Sequence, residues 1–311
     1  LGTTLTFSSS HWLLAWMGLE INTLAILPLM TQQHHPRSVE ATTKYFLVQA
    51  TAAATILFAS MINAWIMGEW DITQTSHPIA TTMTTMALAM KVGLAPMHFW
   101  MPPVLQGLDL ITGLIMATWQ KLAPFALLIQ VAPNTHPTLL MILALLSTLV
   151  GGWGGLNQTQ LRKLLAYSSI AHLGWMTMVI QFMPQLTILT LTIYIIMTAT
   201  MFLTLKQLVS TKINMLALTP SKVPMLTTTT ALVLLSLGGL PPLTGFMPKW
   251  LILQELTKQG LPLTATIIAL SALLSLYFYL RLCYAMTLTI APNTNNATTP
   301  WRLMNTQTFL P

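Results

Sequence analysis

The chain has 311 residues, with 13 Lys or Arg against 6 Asp or Glu and a formal net charge of +7. Only 6% of residues are charged and 54% are hydrophobic, where an average soluble protein is about 25% charged. A soluble chain of this composition could not cover its surface with charge, so lipid has to cover it. The chain is an integral membrane protein, as its mean hydropathy of +0.68 also indicates.

A spanning helix needs about 20 apolar residues, and apolar runs between polar punctuation predict an all-α, polytopic transmembrane bundle. A short remnant covers 1–7, followed by spans at 12–30, 45–67, 79–101, 110–131, 138–156, 164–183, 186–209, 223–250 and 261–290. These make one membrane domain over 1–290. The tail, 291–311, carries Asn293, Asn295 and Asn296 and reads as an extramembrane segment leading to a further helix. The chain opens at Leu1 inside an apolar run, which predicts a start further upstream.

The basic excess does not mark a nucleic-acid binder, because no Lys/Arg cluster is interleaved with exposed aromatics. Most basic residues sit between apolar runs and read as topology signals. If connections alternate sides, one face receives Arg37 and Lys44, Arg162 and Lys163, Lys206, Lys212 and Lys222, then Arg302. The other receives Glu69 and Asp71, the uncharged turn 133–137, then 181–185 and Lys258. Every strongly basic connection falls on one face, as the positive-inside rule requires of a correct span count. The single Cys283 forbids an internal disulfide and any four-cysteine metal or iron–sulfur site. Sequons at Asn157 and Asn296 match a motif that is common by chance.

An internal repeat emerges when two glycines are aligned. Gly93-Leu94-Ala95-Pro96, followed by Met101-Pro102, parallels Gly239-Leu240-Pro241-Pro242, followed by Met247-Pro248, at the same spacing. Each set interrupts a hydrophobic span, and paired interruptions of this kind point to ion sites in transporters.

Most charges fall in connections, so the exceptions carry the functional argument. Glu20 lies in LEINTLAILPLM, Lys91 in TTMALAMKVGLAP, Lys121 in ATWQKLAPFALL, and Lys249 in GLPPLTGFMPKW. A charge at the bilayer centre costs at least about 2.5–3.5 kcal/mol, so each should face the bundle interior or water. One glutamate and three lysines on separate spans form a buried hydrophilic series suited to a proton relay. The structural alternatives are a hydrogen-bonded neutral carboxyl for Glu20, snorkelling for Lys91 and Lys121, and offset of a helix dipole for Lys249. Snorkelling is the expected role of Arg281, and surface pairing that of Glu255. His172 and His98 lie at membrane depth, where His can link proton carriers or bond a neighbouring helix. His11, His34, His35, His77 and His136 lie at span edges and read as interfacial. No span carries two histidines at membrane depth to ligate haems. There is no GxxxxGK[ST] loop, no GxGxxG after a strand and no metal-ligand cluster in the sequence. The expectation is that this chain binds no cofactor and no metal.

The runs SSHWLLAWMGLEINTLAILPLM, AMKVGLAPMHFWMP, GLNQTQLRKLLAYSSIAHLGW and LLSLGGLPPLTGFMPKWLILQEL resemble the chain 2 family of NADH–ubiquinone oxidoreductase. These are antiporter-like membrane-arm subunits of respiratory complex I, encoded in animal mitochondria. The resemblance covers essentially the whole chain. It implies two inverted repeats, each with a broken helix, and proton translocation coupled to electron transfer from NADH to ubiquinone. Redox chemistry would sit on other subunits, and the partners would be other membrane-arm subunits, lipid and protons, with no nucleic acid. It implies a mitochondrial inner-membrane location. It also implies that Glu20 pairs with Lys91, that Lys121 is the central lysine, and that Lys249 belongs to the second broken helix. The chain departs from the family at Pro103, where members carry an acidic residue, so no carboxylate role transfers there. Both ends are expected to be shorter than in the family. The rival readings are a stand-alone cation/proton antiporter, active without partners, and a structural scaffold whose buried charges are dispensable.

Overall fold

A computed structural model describes residues 1–32, 34–220 and 223–288. The tail 291–311 with Arg302, and also Lys222, lie outside the described residues. The described chain is helical: α1 (Gly2–Ser8), α2 (Trp12–Met30), α3 (Pro36–Met67), α4 (Pro78–Val92), α5 (Met101–Gly107), α6 (Leu110–Ala117) and α7 (Trp119–Val131). It continues with α8 (Pro137–Gly155), α9 (Leu161–Val179), α10 (Pro184–Gln207), α11 (Ile213–Ala217), α12 (Pro224–Gly238), α13 (Phe246–Lys258) and α14 (Pro262–Thr287).

The starts of these helices are written in the sequence. Proline opens α3, α4, α8, α10, α12 and α14, where its missing N–H costs no helical bond and its fixed φ suits the first turn. Two edge histidines are N-caps: His11 Nδ1 accepts from Leu13 N and His35 Nδ1 from Arg37 N, both at 3.2 Å. Threonines inside apolar helices return their hydroxyls to carbonyls one turn back, as Thr84 does to Thr81 O at 3.0 Å. That satisfies them without a neighbouring helix.

Among the described residues six helical stretches are long and apolar enough to cross a membrane, including Trp12–Met30, Pro36–Met67 and Pro184–Gln207. α3 starts nine residues before the expected span at 45–67, because Arg37, Glu40 and Lys44 prolong it into the aqueous boundary. Glu40 and Lys44 pair there across one turn.

Loop-to-loop contacts sort the connections by face. Leu161 N donates to Thr211 O at 3.1 Å and Ile213 N to Thr159 O at 3.2 Å. Arg162 donates to Leu108 O. These bonds gather the connections that carry Arg162, Lys163 and Lys212. On the opposite face, Asn134 Nδ2 donates to Thr73 O at 2.5 Å, and Gln181 Nε2 to Thr135 O at 3.2 Å. The alternation expected from charge is therefore built into the fold. α4–α5 and α12–α13 then run in opposite directions, which makes the repeat an inverted one.

At the centre stands α9, buried along almost its whole length. Peripheral helices turn large apolar side chains outward, including Trp65, Trp153 and Leu273, a surface suited to lipid.

The candidate proton path

Two broken helices frame the site. α4 ends on Gly93 at φ +89 and α12 on Gly239 at φ +83, left-handed conformations natural to glycine. The following amides fold back in matching bonds, Leu94 N to Ala89 O at 2.9 Å and Leu240 N to Leu235 O at 3.4 Å. The chain resumes as helix at Met101 and at Phe246. The correspondence read from the sequence is thus a real structural repeat.

The carbonyls freed at the two breaks are satisfied differently. At the first, Trp100 Nε1 donates to Met90 O at 3.1 Å, and Gln49 Nε2 donates to Lys91 O at 3.5 Å. At the second, Lys249 Nζ reaches back from the first turn of α13 to Gly238 O at 2.8 Å and Leu237 O at 3.4 Å. A cation at a helix C-terminus is favoured by the helix dipole and by the unpaired carbonyls. The dipole that Lys249 offsets is that of α12, not of its own helix. Lys249 Nζ also lies 6.0 Å from the centre of the Trp175 ring.

Lys91 lies in the last turn of α4 and is 6% exposed. Its Nζ has no hydrogen-bond partner among the described residues, and neither does Glu20 Oε2 nor Asn22 Nδ2. The Glu20–Lys91 contact implied by the resemblance is absent. No ion pair within 4.0 Å joins them, the ion pairs among the described residues being Lys44–Glu40 and Lys258–Glu255. The two helices still face one another, since Leu19, Asn22 and Thr23 of α2 line the same small cavity as Lys91.

Between Lys91 and Lys121 lies a cavity of about 20 Å³ that Asn22, Tyr45, Gln49 and Gln120 help to line. It has room for about one water molecule, and its lining offers the polar partners such a molecule requires. Lys121 is 4% exposed. It stands in the first turn of α7, just past an interruption at Thr118 that splits the expected 110–131 span. Its Nζ is 3.5 Å from Tyr194 Oη on α10 and 5.5 Å from that ring's centre. The His172 ring on α9 is 5.5 Å from the Tyr194 ring. His172 Nδ1 is 2.7 Å from Ser168 O. A carbonyl only accepts, so Nδ1 carries the proton in this contact. His172, Tyr194 and Lys249 together line a second cavity, of about 30 Å³.

The structure thus brings Lys91 and Lys121 to one cavity and His172 and Lys249 to another, with Tyr194 between Lys121 and the second. His98 is buried in the first break against Phe99, ring centres 4.4 Å apart, and lines neither cavity. Arg281 is half-buried and donates to Leu156 O at 2.8 Å at the end of α8, a packing contact rather than the expected snorkelling, while Glu255 bonds Gln259 at 3.1 Å and pairs with Lys258 at 3.9 Å, the pairing expected of it. Asn22, Tyr45, Gln49, Gln120 and Tyr194 complete the path and were not singled out from the sequence. Their one signal was a polar side chain inside an apolar run. Among the described residues no three His, Cys, Asp or Glu come together as a metal site.

The sequence profile of the NADH:quinone oxidoreductase/Mrp antiporter transmembrane family matches residues 9–275. That of the NADH dehydrogenase subunit 2 C-terminus matches 276–311. NADH-ubiquinone oxidoreductase chain 2 of Carassius auratus is 75% identical over 311 residues, covering 100% of this chain and 89% of that one. The same subunit of Oncorhynchus mykiss is 72% identical with the same coverage. A chain of respiratory complex I from Thermus thermophilus with bound aureothin superposes with TM-score 0.85 at 31% identity, over 98% of this chain and 74% of that one. A chain of the Mrp complex from Dietzia sp. DQ12-45-1b superposes with TM-score 0.84 over 94% of this chain and 59% of that one. At 17% identity it shares the fold alone.

Proposed function

Because the chain belongs to the NADH:quinone oxidoreductase/Mrp antiporter family, and within it to the chain 2 subunits of complex I, we propose that it serves as one proton-translocating unit of that complex's membrane arm. The proton path runs through Glu20, Lys91, Lys121, His172 and Lys249. One observation carries this reading. Three lysines and a histidine, on four elements, come together in the interior, with one small cavity between Lys91 and Lys121 and a second, mostly apolar one beside His172 and Lys249.

The chemistry follows from that arrangement. A lysine with no fixed anionic partner holds its proton weakly in a low-dielectric interior and passes it to a neighbour within reach. Glu20, near Lys91 without touching it, supplies an adjustable field, and a small shift of α2 would change how firmly Lys91 keeps its proton. At the far end, carbonyls of the broken α12 hold Lys249, so the charge on that lysine and the geometry of the break are linked.

In this reading the membrane is the mitochondrial inner membrane, and the basic face, with Arg37 and Arg162, is the matrix side, as the positive-inside rule supports. NADH oxidation and quinone reduction take place on other subunits, and this chain binds no cofactor of its own. The absence of any phosphate-binding loop or dinucleotide fingerprint in the sequence supports that division. Its partners are the adjoining membrane-arm subunits and the surrounding lipid.

The test is proton pumping and NADH–quinone turnover in assembled complex I carrying Lys121→Ala. Coupled turnover should fall by about tenfold or more, the scale expected when a proton-transferring group is removed, with assembly intact. Unchanged protons pumped per NADH would overturn the relay and leave the buried lysines as scaffold.

A further inference from the structure

The gap between Lys121 and Lys249 holds one residue with a hydroxyl that touches a lysine of the path. Tyr194 is 3% exposed. Its Oη lies 3.5 Å from Lys121 Nζ and donates to Ala117 O at 3.3 Å. Its ring stands 5.5 Å from that of His172 and lines the cavity that His172 and Lys249 share. The acceptor at Ala117 is informative. The interruption at Thr118 sends Lys121 N to Thr118 O at 3.3 Å, so the carbonyl of Ala117 has lost its usual helical donor. Tyr194 fills that vacancy while accepting from the lysine one turn on. A hydroxyl is both a donor and an acceptor, and this one accepts from Lys121 while the Tyr194 side chain lines the second cavity.

Resting on the relay reading above, we propose that the Tyr194 hydroxyl is the proton-carrying link between Lys121 and the His172–Lys249 half of the path. In the step, an N–H bond of the Lys121 ammonium breaks and an O–H bond forms on Tyr194. The phenol's own O–H bond breaks as its proton passes, through a water molecule in the cavity, to His172 Nε2. Tyr194 ends neutral with an exchanged proton, Lys121 ends as the neutral amine, and His172 ends as the imidazolium. His172 then delivers that proton to a neutral Lys249. The turn of the phenol back to Ala117 O resets the link. No electron moves, and no reagent beyond protons and water is required.

A purely structural hydroxyl would only satisfy Ala117 O, and the two roles separate experimentally. Tyr194→Phe keeps the ring packed against Lys121 and His172 and removes the hydroxyl. Tyr194→Gln keeps a hydrogen-bond donor but offers no hydroxyl to exchange its proton. Assembled complex I carrying each variant, with Lys121→Ala alongside, is measured for coupled turnover, protons pumped per NADH, and the H₂O/D₂O rate ratio. NADH oxidation with an artificial electron acceptor serves as the control. Both tyrosine variants should lose about tenfold or more in coupled turnover and show a raised solvent isotope ratio, with the artificial-acceptor rate unchanged. Wild-type turnover and isotope ratio in either assembled tyrosine variant, with pumping lost in Lys121→Ala, would overturn the Tyr194 link and leave the relay standing. Normal pumping in Lys121→Ala would remove the relay and this proposal with it. Should Tyr194→Phe not assemble, Tyr194→Gln decides alone by the same outcomes.

Discussion

Lys249 does two things at once, and the two can be separated at the level of one side chain. Its ammonium binds Gly238 O and Leu237 O at the end of α12, and hydrogen bonds from a charged donor contribute about 1.5–3 kcal/mol. The proton path asks the same group to lose and regain a proton. Arginine keeps the cation and the donors but is not deprotonated in proteins. Lys249→Arg should therefore leave the amount of assembled complex near wild type, as judged on a native gel, and abolish coupled pumping. Lys249→Met should lower both. Pumping retained in Lys249→Arg would reduce Lys249 to a helix cap. Residues around the path follow a similar logic. Gln49 and Trp100 hold the carbonyls at the end of α4, and that leaves Lys91 Nζ without a fixed partner.

The broken helices depend on glycine for different reasons. Gly239 is needed for its positive φ. Gly245 sits at an ordinary φ of −73, but a Cβ there would come within 1.8 Å of Ser236 O, so the two halves of the break could not close. Gly245→Ala should leave little assembled complex. Gly260→Ala makes the contrast. Its φ is +71, yet a Cβ would meet nothing within 4 Å, so the cost is about 1 kcal/mol of backbone strain. A native gel comparing the two would sink this account if their assembly were equal. The repeat is also imperfect where it matters. Ten residues beyond each break glycine stand Pro103 and Lys249, so the lysines are not copies of one ancestral position. Lys91 precedes its break and Lys249 follows its own. Pro103 falls in the first turn of α5, where a missing N–H is tolerated.

For the whole molecule the claim is directional, since an inverted repeat requires the two broken helices to cross in opposite senses. Single cysteines at Lys163 and Lys212 should react with a membrane-impermeant maleimide from one side of sealed vesicles, and a cysteine at Thr73 from the other. The native Cys283 is buried, with its Sγ 3.7 Å from Ala231 O, and should stay unlabelled. Labelling of Lys163→Cys and Thr73→Cys from the same side would break the span count and the direction of the path with it.

Much of this was decided by local chemistry. Charge scarcity required a lipid environment, basic connections fixed the alternation of faces, prolines marked six helix starts, and two Gly/Pro sets marked the breaks. The cost of burying charge singled out Glu20, Lys91, Lys121 and Lys249 one at a time. Other features depend on which helices become neighbours, and the sequence is silent about that. Glu20 and Lys91 make no ion pair, although residues beside Glu20 on α2 line the same cavity as Lys91. The interruption at Thr118 falls six residues before Pro124, the local signal for a kink, and the Ala117 carbonyl it frees is met by Tyr194 on a distant helix. Period and composition determine what a segment can bury. Only tertiary packing decides which groups meet: Tyr194 comes to Lys121, the end of α12 to Lys249, and, among the described residues, nothing to the ammonium of Lys91.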